Sequence, residues 1–290
     1  MGNFKIVTDS SCDLPLSLAE KMDLTVVPLT VMLEDKNYVN DLGGSDIGFK
    51  EFYSKLRGGA MSKTSAPAID AFEAAIRPLL AEGNDVLYIG FSSGLSATYQ
   101  AGRLACEQLS EEFPDRKIYH VDSLCASMGQ GLLIYHAYEA KTAGKTIEEV
   151  RALTEENKLH LCHWFTVEDL NHLKRGGRVS PTVAFVGSLL SIKPVMHMDD
   201  AGTLQPVSKA KGRKASLQAL AQMMKEHAID PANQTVFISH GDCEDDVEYL
   251  KEIILRDVGA KEIVANYVGP VIGSHSGAGT MALFFLGDKR

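Results

Sequence analysis

Residues 85–109 read DVLYIGFSSGLSATYQAGRLACEQL, and this stretch decides the fold class. Asp85 to Phe91 is a short, nearly continuous apolar run, the pattern of a strand buried on both faces. Ser96 to Leu109 follows as a helix. Between them, Gly90-Phe91-Ser92-Ser93-Gly94 makes the turn. The same alternation extends in both directions. Phe4 to Thr8 reads as a strand, with Asp13 and Pro15 at a helix start. Leu24 to Leu29 reads as a second strand, weakened at its end by Pro28. Ile69, Phe72, Ile76, Leu79 and Leu80 fall on one helix face. Ile118 to Asp122 is a further strand and Gly131 to Thr142 a further helix. Thr146 and Glu149 have capping-box spacing. Strands alternating with helices in this way predict a parallel α/β sheet.

The second half is less regular. Leu161 to Thr166, Ser191 to Met198, Thr235 to His240, Glu262 to Val268 and Met281 to Leu286 read as strands. Leu217 to His227 and Val247 to Arg256 read as helices. The higher strand density predicts an α+β unit. The expected organisation is α/β with two domains: residues 1–160 with a parallel sheet, and residues 161–290. A chain of 290 residues has the length for two domains.

Composition excludes several classes. Hydrophobic residues make up 45% and charged residues 23%, ordinary globular values. The charge balance, 29 − 38 = −9, disfavours general binding of nucleic acid, which needs clustered Lys and Arg. Five widely spaced cysteines without a CxxC read as reduced thiols, which points to the cytoplasm. The start, MGNFKIVTDS, has no signal-peptide pattern, and Ile6 occupies the place a myristoylation motif gives to Ser or Thr. The apolar run Met281 to Leu286 is too short to cross a bilayer, so no integral membrane segment is expected.

Four segments offer chemistry. Gly90 to Gly94 ends a strand and opens a helix, where backbone N–H groups and the Ser92 and Ser93 hydroxyls can hold an anion. The same residues match a G-x-S-x-G nucleophile elbow. With Asp169 or Asp242 and His275 they would follow the order of a serine hydrolase of acyl esters, with Ser92 as nucleophile. Lys63-Thr64-Ser65-Ala66-Pro67 would offer hydroxyls from a loop. Gly269 to Gly279 surrounds His275 with glycines and serines, which let a ligand or backbone come close. Lys174-Arg175-Gly176-Gly177-Arg178 and Gly212-Arg213-Lys214 are basic. Arg175 and Arg213 would serve a non-lipid phosphate-binding module. Metal readings are discounted: His160, Cys162 and His163 alternate across a strand, and Asp242 to Asp246 are helix-start acids.

Taken together, six segments resemble the DegV family of bacterial fatty-acid-binding proteins. They are IVTDSSCDLP (6–15), KTSAPAIDAF (63–72), FSSGLSATYQAG (91–102), VDSLCASMGQG (121–131), LKRGGRVS (173–180) and GPVIGSHSGAG (269–279). The resemblance spans essentially the whole chain, in order. It implies a two-domain α/β fold with a long-chain fatty acid between the domains and no other cofactor. It also implies a role like the FakB-type subunit of a fatty acid kinase. Such a subunit presents its acid to a separate ATP-using catalytic subunit and carries the acyl phosphate for phospholipid synthesis. By motif match Thr64, Ser93 and His275 would hold the carboxylate, with Ser65 and Ser92 beside them. Arg175 and Arg213 would face the partner. Ala66, Ala97, Ser274 and Ser276 depart from the usual pattern. The chemistry agrees: about fourteen buried methylenes give on the order of 11 kcal/mol gross, less ordering costs. The head needs donors rather than a full buried countercharge.

Overall fold

The computed structural model describes residues 4–180 and 191–290. Met1 and Gly2, weighed above for acylation, lie outside the described residues. The stretch around residue 90 forms the centre of a four-stranded, fully parallel sheet A. Its strands are β1 (Phe4–Asp9), β2 (Thr25–Val27), β6 (Asp85–Gly90) and β7 (Ile118–Asp122), in the order β2-β1-β6-β7. Sheet B is antiparallel, with β3 (Leu29–Leu33) between β4 (Lys36–Asn40) and β5 (Ser62–Ser65). Sheet C has six strands in the order β10-β9-β8-β13-β11-β12. These are β8 (Leu161–Thr166), β9 (Ile192–Met198), β10 (Leu204–Lys211), β11 (Thr235–His240), β12 (Glu262–Tyr267) and β13 (Met281–Leu286). Only the β11–β12 pairing in sheet C is parallel.

Helices α1 (Leu16–Lys21), α2 (Phe49–Arg57), α3 (Ile69–Ala81), α4 (Thr98–Glu112), α5 (Met128–Thr142) and α6 (Ile147–Asn157) belong to the first half. The second half holds α7 (Asn171–Arg175), α8 (Arg213–His227), α9 (Glu244–Asp257) and α10 (Pro270–Ser276). One face of sheet A buries Val7, Val86 and Tyr88 against α3 and α4. Its other face buries Ile6, Leu87 and Ile89 against α5. Helix α5 then meets sheet C at Phe237 and Phe284. That position between two sheets explains why α5 is apolar nearly all round. Helices α8 and α9 cover the far face of sheet C through Leu217, Leu220, Leu250 and Ile254. Sheet B packs its Val31 and Leu33 on Phe52 and Tyr53 of α2 and on Val271 of α10.

Several expectations change. The segment read as one strand, Leu24 to Leu29, is divided by Pro28 into strands of two different sheets. Proline lacks the ladder N–H, so the chain leaves sheet A there. Lys63 to Ser65 is an edge strand rather than a loop. The polar β10 escaped notice because it is a largely exposed edge strand containing Pro206, with irregular register between Pro206 and Ser208. The glycine-rich segment around His275 is a helix, with Gly269 at its N-cap, Pro270 in its first turn and Gly277 after it at φ +82°. Helix α4 starts at Thr98 and α5 at Met128, two residues after and three before the expected starts. The Thr146–Glu149 capping box forms as read.

Close packing of sheet A on α4 gives a first test. A Cβ on Gly102 would lie 2.3 Å from Tyr88 Cε1. Tyr88 is fully buried and held between Phe72 and Tyr99, so it has no room to yield. Alanine is the better helix former by about 1 kcal/mol. Gly102→Ala is nevertheless expected to destabilise the protein by about 1–3 kcal/mol through overpacking, seen as a lower urea midpoint.

Candidate ligand site where the three sheets meet

In parallel sheets, ligands bind beyond the C-terminal strand ends, where neighbouring connections run to opposite sides. In sheet A that point lies between β1 and β6. The turn after β6 and the segment before α5 bound a cavity of about 280 Å³ there. Its remaining walls come from sheet B, sheet C, Arg178 and α10. Phe91, Phe165, Met198, Val271, Ile272 and Phe284 make most of it apolar. Thr64, Ser65, Ser96, Arg178 and His275 bring polar groups to the part bounded by β5, the turn after β6 and α10.

His275 is the centre of that polar end. Its Nε2 lies 2.8 Å from Thr64 Oγ1. Thr64 faces inward because it pairs in register with buried Val31. The other ring nitrogen, Nδ1, is buried without a hydrogen-bond partner among the described residues. It faces Gly176, where an added Cβ would lie 2.2 Å away. A Gly176 Cα–H therefore points at Nδ1, as toward an acceptor. We assign the ring proton to Nε2, which donates to Thr64 and leaves the Thr64 hydroxyl proton free to donate to a ligand. Burial, with the nearby Arg178 charge adding to it, holds His275 down at about 4, so the ring is neutral at pH 7. Helix α10 is seated by further close approaches. Gly273 packs on Tyr53, whose hydroxyl donates to Val268 O at 2.7 Å, and Gly277 packs on His172.

Arg178 supplies the positive charge. Its Nε donates to Leu95 O at 3.1 Å and its Nη1 donates to Gly176 O. The guanidinium is thus tied between the turn after β6 and the end of α7, and no carboxylate pairs with it among the described residues. Partial burial lowers its pKa. In the sequence Arg178 is one of three basic residues in Lys174 to Arg178, and nothing local sets it apart from Arg175. Ser96, also on the cavity wall, sits two residues past the elbow and is likewise unmarked by its local sequence; its Oγ lies 2.8 Å from Thr98 Oγ1.

The other expected residues divide. Ser65 reaches the cavity from the exposed side of β5. Ser92 and Ser93 do not line it. Ser92 is fully buried and its Oγ donates to Gly202 O at 2.8 Å, while Ser92 Oγ itself accepts the Gly94 N–H at 3.2 Å. Ser93 is exposed, and its backbone N–H donates to Asp122. The hydrolase arrangement is not assembled. Ser92 makes no hydrogen bond to a histidine among the described residues, His275 is engaged by Thr64, and Asp242 pairs with Arg57. Arg213 is not a free phosphate ligand either, because Asp246 at 2.8 Å and Glu168 at 3.5 Å neutralise it. Arg175 is exposed on α7, with Nη2 3.1 Å from His172 Nδ1. Among the described residues no cluster of His, Cys, Asp or Glu is placed to hold a metal. No helix among them is long and apolar enough to cross a membrane.

A mainly apolar cavity between the sheets, with a few polar groups brought together on its wall, is of the kind that takes a small molecule. A family model described as "Uncharacterised protein, DegV family" matches residues 3–288, and this chain belongs to the DegV family. It is 46% identical to a DegV domain-containing protein of Clostridium perfringens, over 100% of this chain and 99% of that protein. The structure of a DegV lipid-binding protein from Thermotoga maritima matches with TM-score 0.87 and 32% identity, covering 100% of both chains. A DegV-family protein from Thermus thermophilus, described for its fatty acid binding, matches with TM-score 0.87 and 32% identity over 97% of this chain and 98% of that one.

Proposed function

We propose that this protein binds a long-chain fatty acid and presents its carboxylate to a separate ATP-dependent kinase. The observation that carries the reading is the cavity: mainly apolar walls on which the Thr64–His275 pair and Arg178 come together, with Ser127, His163, Ser239, Ser276 and Thr280 also on the wall. The lipid and fatty acid binding described for the Thermotoga and Thermus proteins supports it. The Thr64 hydroxyl donates to one carboxylate oxygen and Arg178 balances the charge, while the acyl chain lies along the apolar walls. Each methylene buried there contributes about 0.8 kcal/mol. Neutral His275 orients Thr64 without itself adding charge. Residues 1–160 and 161–290 act as two domains in this proposal, with the acid between them. The five free thiols fit a cytoplasmic setting.

Titration of delipidated protein with a long-chain fatty acid by calorimetry tests binding. Thr64→Val removes the donor at nearly constant volume, so about tenfold weaker binding is expected, the effect of one lost hydrogen bond to a charged group. Unchanged affinity would remove Thr64 from the site.

In the kinase step, a carboxylate oxygen attacks the γ-phosphorus of ATP, the bond to the bridging oxygen breaks, and acyl phosphate and ADP form. Exposed Arg175, next to the Gly176 that covers His275, supports a partner surface on this side. Hydroxylamine trapping should detect acyl phosphate only when protein, acid, ATP–Mg²⁺ and the catalytic subunit are combined. No product from the complete mixture would overturn the kinase role.

A further inference from the structure

The motif TDSSCD (8–13) contributes two aspartates that do not line the cavity. Both are buried, Asp9 at 0% and Asp13 at 3% exposure, and neither has a cationic partner among the described residues. Asp9 Oδ2 accepts the Phe91 N–H at 2.9 Å and Gln130 Nε2 at 3.2 Å, which fastens the turn after β6. Asp13 joins more distant parts. Its Oδ2 is 2.5 Å from Ser127 Oγ, at the start of α5 on the cavity wall. Ser127 Oγ is in turn 2.9 Å from Ser239 Oγ on the sheet C wall. Asp13 Oδ1 also packs against Gly269, the N-cap of the helix that carries His275, where an added Cβ would lie 2.6 Å from it. Asn266 Nδ2 donates to the Asp13 carbonyl at 2.8 Å, which fixes the same junction.

We infer that Asp13 is a positioning residue for the acid site: as an uncharged carboxylic acid it ties the start of α10 to the cavity wall at Ser127, and its ionisation loosens that tie. The inference rests on the fatty-acid reading above. The neutral acid fits the geometry without residue. One oxygen rests against Gly269, and the other shares its proton with Ser127, which continues to Ser239. An ionised carboxylate would sit beside Asp9 and Cys12 from the same turn and Tyr53 from α2, and Asp41 and Tyr267 share a recess with it; each of these groups is an acid. Burial pushes Asp13 up to about 8, against the Ser127 hydrogen bond and the approach of the Gly269 backbone, which favour the anion. Burial likewise raises Asp9, to about 6.

Asparagine reproduces the neutral acid, with an oxygen to rest against Gly269 and an NH₂ to donate to Ser127, but it cannot ionise. The test compares fatty-acid affinity in wild type, Asp13→Asn and Asp13→Ala between about pH 7 and about pH 9, a window spanning the Asp13 transition and far above that of His275. Titration of the ligand is common to all three proteins. At about pH 7, Asp13→Asn should bind like wild type and Asp13→Ala roughly tenfold more weakly. By about pH 9 wild type should fall about tenfold relative to Asp13→Asn, the fraction of competent protein being about one in ten. A constant ratio, or Asp13→Ala binding like wild type, would overturn the inference. If no form binds acid at any pH, the fatty-acid reading fails and the inference falls with it. Stability gives a ligand-free readout. The folded Asp13 titrates above its unfolded value of 3.8, so its contribution is full below about pH 4 and is lost as pH rises through about 8. The urea midpoint of Asp13→Asn should therefore gain on wild type across that range, and parallel curves would show that Asp13 does not titrate there.

Discussion

Arg178→Leu is expected to weaken binding of a long-chain carboxylate by about 30-fold, about 2 kcal/mol. Leucine keeps much of the apolar stem and removes the charge beside His275. Losing one partner of a buried, hydrogen-bonded charge pair costs about 2–5 kcal/mol. Arg178 is only half-buried, which places the effect at the lower end of that range. A long-chain alcohol offered to the same variant is the control. It carries no charge, so its affinity should change by less than about threefold, within the range of a surface substitution. Arg178→Lys should fall between, since lysine keeps the charge but cannot hold both Leu95 O and Gly176 O. Equal losses for acid and alcohol in Arg178→Leu would mean that Arg178 shapes the cavity and does not pair with the head.

Gly176→Ala should have an effect of similar size for a different reason. Gly176 has φ −72° and ψ −9°, a backbone conformation that alanine adopts freely. The added methyl instead meets His275 Nδ1 at 2.2 Å, so the ring must move off Thr64. Overpacking of this kind costs about 1–3 kcal/mol. An acid affinity about 30-fold lower is expected as the ring leaves Thr64, together with a lower urea midpoint from the same overpacking. His275→Ala makes room for the methyl. The double variant should therefore bind no more weakly than His275→Ala alone, a coupling that distant, independent sites do not show. Full additivity would place the Gly176 effect elsewhere than at His275.

The parallel core was legible because its signals are local. The DVLYIGF run, the turn after it and the α3 stripe at Phe72, Ile76 and Leu80 each depend on neighbours in sequence. Sheet B was not legible. Its strands carry few apolar residues in β4 and β5, and they are strands because residues 29–40 and 62–65 meet in space. Hydroxyl and glycine patterning made Thr64 and His275 candidates, and only the family resemblance joined them at one carboxylate; they lie 211 positions apart and the fold brings them into contact. Ser92 illustrates the opposite case. Its local setting is that of a nucleophile, yet a turn 110 positions away supplies the carbonyl that occupies its hydroxyl. Arg178 and Arg213 looked alike as basic residues beside glycine. Their difference, one facing the cavity and the other paired to Asp246 and Glu168, is wholly tertiary.

Native mass spectrometry of the purified protein, followed by denaturation and identification of the released small molecule, tests fatty-acid binding most directly. A single long-chain fatty acid per chain, released on unfolding and largely lost from Arg178→Leu, is the expected result. Protein that is consistently bare, and that takes up no added fatty acid while remaining folded, would contradict it.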